Sequence, residues 1–434
     1  MSLLIRQAIM NGHPHDILVE DGTIAAIAGS GDPPDVRTPS SGSVRELDAA
    51  GLHAFPSFRN GHTHVAMVLF RGYGDDMPLM EWLQTRIWPA EGRLTPQDVY
   101  HGARLGILEM IQGGTTFFNE MYWHRSALRE AAEEMGVRAL IGSALIDLGD
   151  PGLLESQKAE TLELAEARSR GSNGAGNAAH QRISMSLAPH SIYTLRPREL
   201  EWVAAVSDEY DLPVHIHLSE TAGEVTECLE THGCRPAELL ERTGLMNGRL
   251  IAVHGQFLSD GELELLSGAG AALVTNPTAN LKLATGGIFP YVRAREAGVR
   301  ICLGTDGAAS NNNLDMLEEM KFAALLQKHR EEDATALPAA EALAMCTEVP
   351  AQIFGQGSGR VAVGEPADLV LMDLSGPSTQ PLHDPVSALV YAANASHVQT
   401  TICAGKVLMH RRVMEGCDPE EIMARANEVV RLRM

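Results

Sequence analysis

The stretch Leu212-Pro213-Val214-His215-Ile216-His217-Leu218-Ser219-Glu220 decides the fold. A short apolar run ends in residues that bind metals or move protons. Three other segments are built the same way: Gly61-His62-Thr63-His64, Val253-His254-Gly255 and Leu303-Gly304-Thr305-Asp306-Gly307. Each sets an imidazole or a carboxylate near the end of a Val/Ile/Leu run. Segments this far apart in sequence need a scaffold that gathers strand ends at one mouth. A barrel of parallel strands does so, with its chemistry at the C-terminal strand ends.

Outward from these islands, strand and helix alternate. The sequence predicts helices over Gln97–Gln112, Arg125–Met135, Glu155–Arg168, Pro197–Tyr210, Gly223–Thr231 and Asp260–Leu266. Apolar runs separate them at Arg138–Gly142, Ile183–Leu187, Leu212–Ile216, Leu250–Val253, Ala272–Val274 and Arg300–Leu303. Repeated strand–helix units predict an α/β fold, a (β/α)8 TIM-like barrel. The stretch Arg168–His180, rich in Gly, Asn and Ala, is expected to be a loop.

Both ends of the chain have a different texture. Leu3–Arg6, Asp16–Glu20 and Thr23–Ile27 are β-like runs, broken by Asn11-Gly12 and Asp21-Gly22 turn signals. A Pro/Ser/Gly-rich loop is expected from Gly29 to Ser43. Strand-like runs return at Gly359–Gly364, Ala367–Met372 and Thr400–Ala404. The expected organisation is a small β-sandwich domain from residues 1–54 and 359–415. The barrel then spans 55–358, and a C-terminal helix lies within 416–434.

Composition narrows the function classes. A chain of 434 residues with net charge −22 lacks the cationic face that nucleic acid or an anionic membrane needs. Its six cysteines are scattered, with no CxxC pair, and are expected to be reduced thiols of a cytoplasmic protein. The N-terminus has no basic region followed by an apolar run, so no signal peptide is expected.

The chemistry follows from residue types and spacing. His62 and His64 are two apart, so on a strand both rings share a face. Zinc accepts such nitrogen and oxygen ligands and leaves one position open for water. His215 and His217 share the same alternation, and the sequence alone leaves both open. His217 is chosen because it lies nearer the barrel mouth. Glu220, just beyond that strand, suits proton shuttling to a substrate nitrogen. His254 suits orienting the attacking water or stabilising charge on the new oxygen. Asp306 suits metal ligation together with acceptance of a proton from water.

At these residues the chain resembles the amidohydrolase superfamily. The branch it resembles contains the methylthioadenosine, S-adenosylhomocysteine and related adenosine deaminases. The likeness runs through Leu69-Phe70-Arg71-Gly72, Met80-Glu81-Trp82-Leu83, Trp88-Pro89-Ala90-Glu91 and Ala188-Pro189-His190-Ser191. It continues through Asn280-Leu281-Lys282-Leu283 and the run from Gly304 to Asn312. The resemblance implies one metal per chain, zinc or iron, on His62, His64, His217 and Asp306. It implies that Glu91 binds ribose hydroxyls and that His190 and Glu220 contact substrate.

The activity so implied is hydrolytic deamination of an adenosine-type nucleoside with release of ammonia. Asp306 takes the water proton, Glu220 protonates the ring nitrogen and His254 steadies the developing alkoxide. The alternative is deamination or dechlorination of another heteroaromatic ring, such as guanine, a pterin or an s-triazine. Relatives also suggest a homodimer or homotetramer. Two departures stand out: Phe58-Arg59-Asn60 before His62, and Thr275 before Asn276-Pro277, where relatives commonly carry His. Relatives that take S-adenosylhomocysteine have arginines after the third strand. Here Leu140–Glu155 has none, and has three acids. The expected substrates are adenosine, 5′-deoxyadenosine or methylthioadenosine, with S-adenosylhomocysteine disfavoured.

Overall fold

The computed structural model describes residues 2–29, 44–171 and 182–434. Eight strands form one parallel sheet. They are β1 (Phe58–Thr63), β2 (Thr115–Tyr122), β3 (Arg138–Leu145), β4 (Ile183–Pro189), β5 (Val214–Leu218), β6 (Leu250–His254), β7 (Ala272–Thr275) and β8 (Arg300–Leu303). They pair in chain order from β1 to β8. The sheet closes where the chain leaves β8, because Thr305 N and Asp306 N both donate to the His62 carbonyl at 3.1 Å. The result is the TIM-like barrel expected, and it closes at the residues that carry the chemistry.

Helices cover the outside. The principal ones are α1 (Pro96–Gln112), α2 (Arg125–Met135), α3 (Pro151–Gly171), α4 (Pro197–Tyr210), α5 (Ala222–His232), α6 (Asp260–Ala269), α7 (Tyr291–Glu296) and α8 (Met316–Glu331). With helices outside and side chains inside, β1, β2, β5 and β6 are buried along their whole length. Phe117, Leu140, Ile251, Val253, Val274 and Cys302 fill the interior, and Val349, Ile353 and Phe354 pack against them. Gly61 is required at the β1–β8 contact. A Cβ there would lie 2.7 Å from Cys302 Sγ and 2.9 Å from the Leu303 carbonyl.

Nine further strands, from both ends of the chain, make a second sheet with its own core. Its members run from Ser2–Met10, His13–Glu20 and Thr23–Gly29 to Leu369–Met372, Val398–Cys403 and Lys406–His410. Ile24 and Ile402 share that core although they stand towards opposite ends of the sheet, so the sheet folds over itself. The two predicted turns carry positive φ at Asn11, Gly12, Asp21 and Gly22, as such hairpins require. The helix Pro419–Arg433 returns to α1, where Arg433 Nε donates to Asp98 at 2.8 Å.

Two expectations change. Gly359–Gly364 is no strand: φ is +71° at Gly359 and +87° at Gly364, and the chain turns there. Residues 168–171 complete α3 instead of starting a loop, since its Ala and Arg residues favour helix up to Gly171. The rest of that expected loop, 172–180, lies outside the described residues, as does 30–43 of the other. Sequence reading also missed β2 and α8.

Candidate active site

Period-two alternation on β1 and β5 brings His62, His64 and His217 to one point. The ligand-capable atoms of all three lie within 4.8 Å of one another. His62 Nε2 is 3.3 Å from His217 Nε2 and 3.3 Å from Asp306 Oδ1, and His64 Nε2 is 3.2 Å from Asp306 Oδ1. A tetrahedral ion with ligands at about 2.0–2.1 Å separates them by about 3.3–3.4 Å, because the tetrahedron edge is about 1.63 times the bond length. Three of the six separations in this set match that edge, and three nitrogens with one carboxylate oxygen are a donor set that a divalent zinc-like ion accepts. His215 lies one layer behind. Its Nε2 meets His62 Nδ1 at 2.9 Å, a hydrogen-bond distance.

Electrostatics divides these groups. Burial pushes His62 down to about 3 and His217 well below the usual histidine value. Burial also opposes charge on His64, yet Asp306 and Glu120 outweigh it and raise His64 to about 9. The same contacts overcome burial at Asp306 and hold it well below the ordinary carboxylate range. His64 Nδ1 donates to the Met121 carbonyl at 2.5 Å, which leaves Nε2 facing the cluster. Ser310 Oγ donates to Asp306 Oδ2 at 2.7 Å and leaves Oδ1 to the histidines.

A cavity opens over the cluster. Glu91, His190, Glu220 and His254 line it with His64, His217 and Asp306. Trp82, Trp88 and Trp123 give it aromatic walls. All the sequence-predicted site residues therefore border this cavity except His62, which is fully buried beneath it. Glu220 Oε2 stands 3.9 Å from His254 Nε2, and burial raises the Glu220 pKa. Glu91 is raised to about 7 by burial, and its Oε1 has no hydrogen-bond partner. His190 is lowered to about 3, first by burial and then by the neighbouring histidines.

Local backbone aims these groups. Ser219, His254 and Asp306 have φ of +51°, +74° and +62°, a conformation costly for such residues and concentrated at functional sites. Glu224, one turn into α5, accepts from both Ser219 N and Glu220 N at 2.8 Å. Asn280 Oδ1 accepts from His254 Nδ1 at 2.9 Å and turns Nε2 towards Glu220. Sequence reading gave no role to Ser310, Glu224 or Asn280. The only signal for Ser310 and Glu224 was their position four residues after a candidate catalytic group. Thr275 contributes a buried hydroxyl without a partner.

Beyond Trp88 and Tyr193 lies an outer vestibule lined by Met80, Gln84, Pro89, Asp147 and Leu148. Asp147 is one of the three acids after β3. Arg196, which sequence reading overlooked, reaches Asp147 at 3.4 Å and Glu199 at 3.2 Å.

Residues 54–408 match the amidohydrolase family. The 5′-deoxyadenosine deaminase of Methanoregula boonei is 47% identical over 88% of this chain and 84% of its own. The 5-methylthioadenosine/S-adenosylhomocysteine deaminase of Desulforudis audaxviator is 41% identical over 99% of both. Among solved structures, an adenosine deaminase from Xanthomonas campestris with bound zinc superposes with TM-score 0.89 at 35% identity, covering 100% of this chain and 98% of that one. The chain belongs to the amidohydrolase family, beside its adenosine-type deaminases.

Proposed function

We propose that the protein is a metal-dependent deaminase that hydrolyses the amino group from the purine ring of an adenosine-type nucleoside. One observation carries this reading. Three histidines and Asp306 gather beneath a cavity that also holds Glu220 and His254. His62, His64, His217 and Asp306 would hold the ion, one per chain. Zinc fits the donor set, and zinc is named in the Xanthomonas campestris structure. Bound there, a divalent ion supplies a water acidified enough to attack at neutral pH.

The chain's own groups do the rest. Asp306, kept ionised by His62 and His64, takes the proton of the attacking water. Glu220, whose raised pKa favours the acid form, protonates the ring nitrogen beside the carbon under attack. His254, oriented by Asn280, steadies the charge that grows on the new oxygen. Asp306 passes its proton to the amino group, the new hydroxyl gives its proton back to Glu220, the C–N bond breaks and ammonia leaves. The unpartnered Oε1 of Glu91 accepts from a sugar hydroxyl, and His190 borders the substrate.

The 5′ end of the substrate is neutral in this reading. Asp147 faces the vestibule, and Arg196 is already engaged by two carboxylates. A substrate carboxylate would have to compete with both. The relative named for 5′-deoxyadenosine supports the same choice. Losing one charge-assisted pair costs about 1.5–3 kcal/mol, or about ten- to a hundred-fold in kcat/KM. Ammonia release should be measured across 5′-deoxyadenosine, adenosine, methylthioadenosine, S-adenosylhomocysteine, guanine and a pterin. The expected order places the neutral adenosine derivatives first. Equal or better kcat/KM for S-adenosylhomocysteine would refute the neutral 5′ end, and turnover of guanine or the pterin alone would refute the nucleoside. The working assembly is a cytoplasmic homodimer or homotetramer with the domain division given above. Among the described residues no helix is long and apolar enough to cross a membrane.

A further inference from the structure

His215 is fully buried and has no part in the chemistry above. Its Nε2 lies 2.9 Å from His62 Nδ1. Two imidazole nitrogens at that distance need one proton between them: one ring donates and the other accepts. They stand too close to share a zinc-type ion, whose ligands sit about 3.3 Å apart. The direction of the bond matters, since His62 can face an ion with Nε2 only if its proton sits on Nδ1. His64 solves the same problem with the Met121 carbonyl, which can only accept. An imidazole can do either, so His215 needs a constraint of its own. Its Nδ1 is buried and has no hydrogen-bond partner, with the Glu120 backbone on β2 close by. A neutral ring carries its one proton on that Nδ1 when its Nε2 accepts from His62.

We propose that His215 is a positioning residue that fixes the tautomer of His62 by accepting from its Nδ1, holding His62 Nε2 free for the metal. The inference rests on the metal-site reading given above. β5 would then serve the site twice, through His217 at the ion and His215 behind it. Period-two alternation puts both rings on one face, and their depth in the barrel separates their tasks.

The test compares two amides of different reach. In His215→Gln the amide oxygen reaches the region of the lost Nε2 and can still accept. In His215→Asn the amide stops near the position of Nδ1 and leaves His62 without its acceptor. Zinc affinity of the metal-free proteins is read by competition with a coloured chelator, independently of activity. His215→Asn should bind zinc about 10- to 100-fold more weakly than the unmodified protein, the usual scale for such an outer partner. His215→Gln should recover most of that loss. Equal affinities for the two variants overturn the proposal. Failure of the unmodified protein to bind zinc overturns the metal site itself. Should either variant fail to fold, nitrogen-15 histidine spectra of the unmodified zinc-loaded protein decide. A proton on Nδ1 of both rings supports the proposal, and a proton on Nε2 of His215 overturns it.

Discussion

Glu220 and Asp306 are carboxylates buried in the same cavity, and their surroundings push them in opposite directions. Burial raises Glu220, while His62 and His64 hold Asp306 down. Opposite shifts of this kind suit the acid and base roles proposed for the pair. Glu220→Gln keeps the shape and removes the acid, so kcat should fall by at least about 10²-fold while metal content stays at one per chain. Near-normal turnover would move the proton-shuttle role elsewhere. In the unmodified protein kcat should decline as pH rises through the raised Glu220 pKa, since the acid form is lost there. Asp306→Ala and His62→Ala should each lose metal by elemental analysis, and two metals per active chain would contradict the four-ligand site. That these residues meet at one place was legible because His, Asp and Glu announce their chemistry by residue type. The choice between His215 and His217 was not, because period two gives both the same face. Arg196 was missed because its approach to Asp147 joins two loops far apart in sequence.

At the scale of elements, the loop between β5 and α5 is held by a single carboxylate. Glu224 accepts two consecutive backbone N–H groups, and Thr221 Oγ1 in turn accepts from Glu224 N at 3.1 Å. Glu224→Ala leaves buried donors unpaired, at about 1–3 kcal/mol each. It should lower Tm and kcat together while one zinc is retained. Unchanged kcat would mean that Glu220 keeps its place without this anchor. Helix limits were legible where punctuation was strong, as with Pro197 opening α4 and Gly136 ending α2. Strand β2 hid because Asn119 and Glu120 are polar yet wholly buried, so it shows neither alternation nor an apolar run. Helix α8 hid for a related reason, since the buried Glu319 interrupts its apolar stripe. The opposite error arose at Val361 and Val363, whose spacing imitates a strand between two glycines that turn the chain.

Across the whole molecule, the terminal sheet fastens the barrel at the end away from the site. Asp368, just before the strand Leu369–Met372, meets Arg138 at 2.9 Å and Arg59 at 3.7 Å at the starts of β3 and β1. Its other oxygen accepts from Ala404 N at 2.7 Å. Breaking a buried pair from one side strands a charge and costs about 3–5 kcal/mol. Asp368→Asn should therefore lower Tm by several degrees and leave KM unchanged, and an unaltered Tm would remove the clasp. The two-ended β domain was legible from its turn signals. The clasp was not, because Arg59 and Asp368 are 309 positions apart and nothing local pairs them. The central claim is that one ion on His62, His64, His217 and Asp306 drives nucleoside deamination. Its most direct test is ammonia release from 5′-deoxyadenosine as metal-free protein is titrated with zinc. The account predicts no release at zero metal and a rise that levels at one zinc per chain. Full release from the metal-free protein, or none at any zinc ratio, would contradict it.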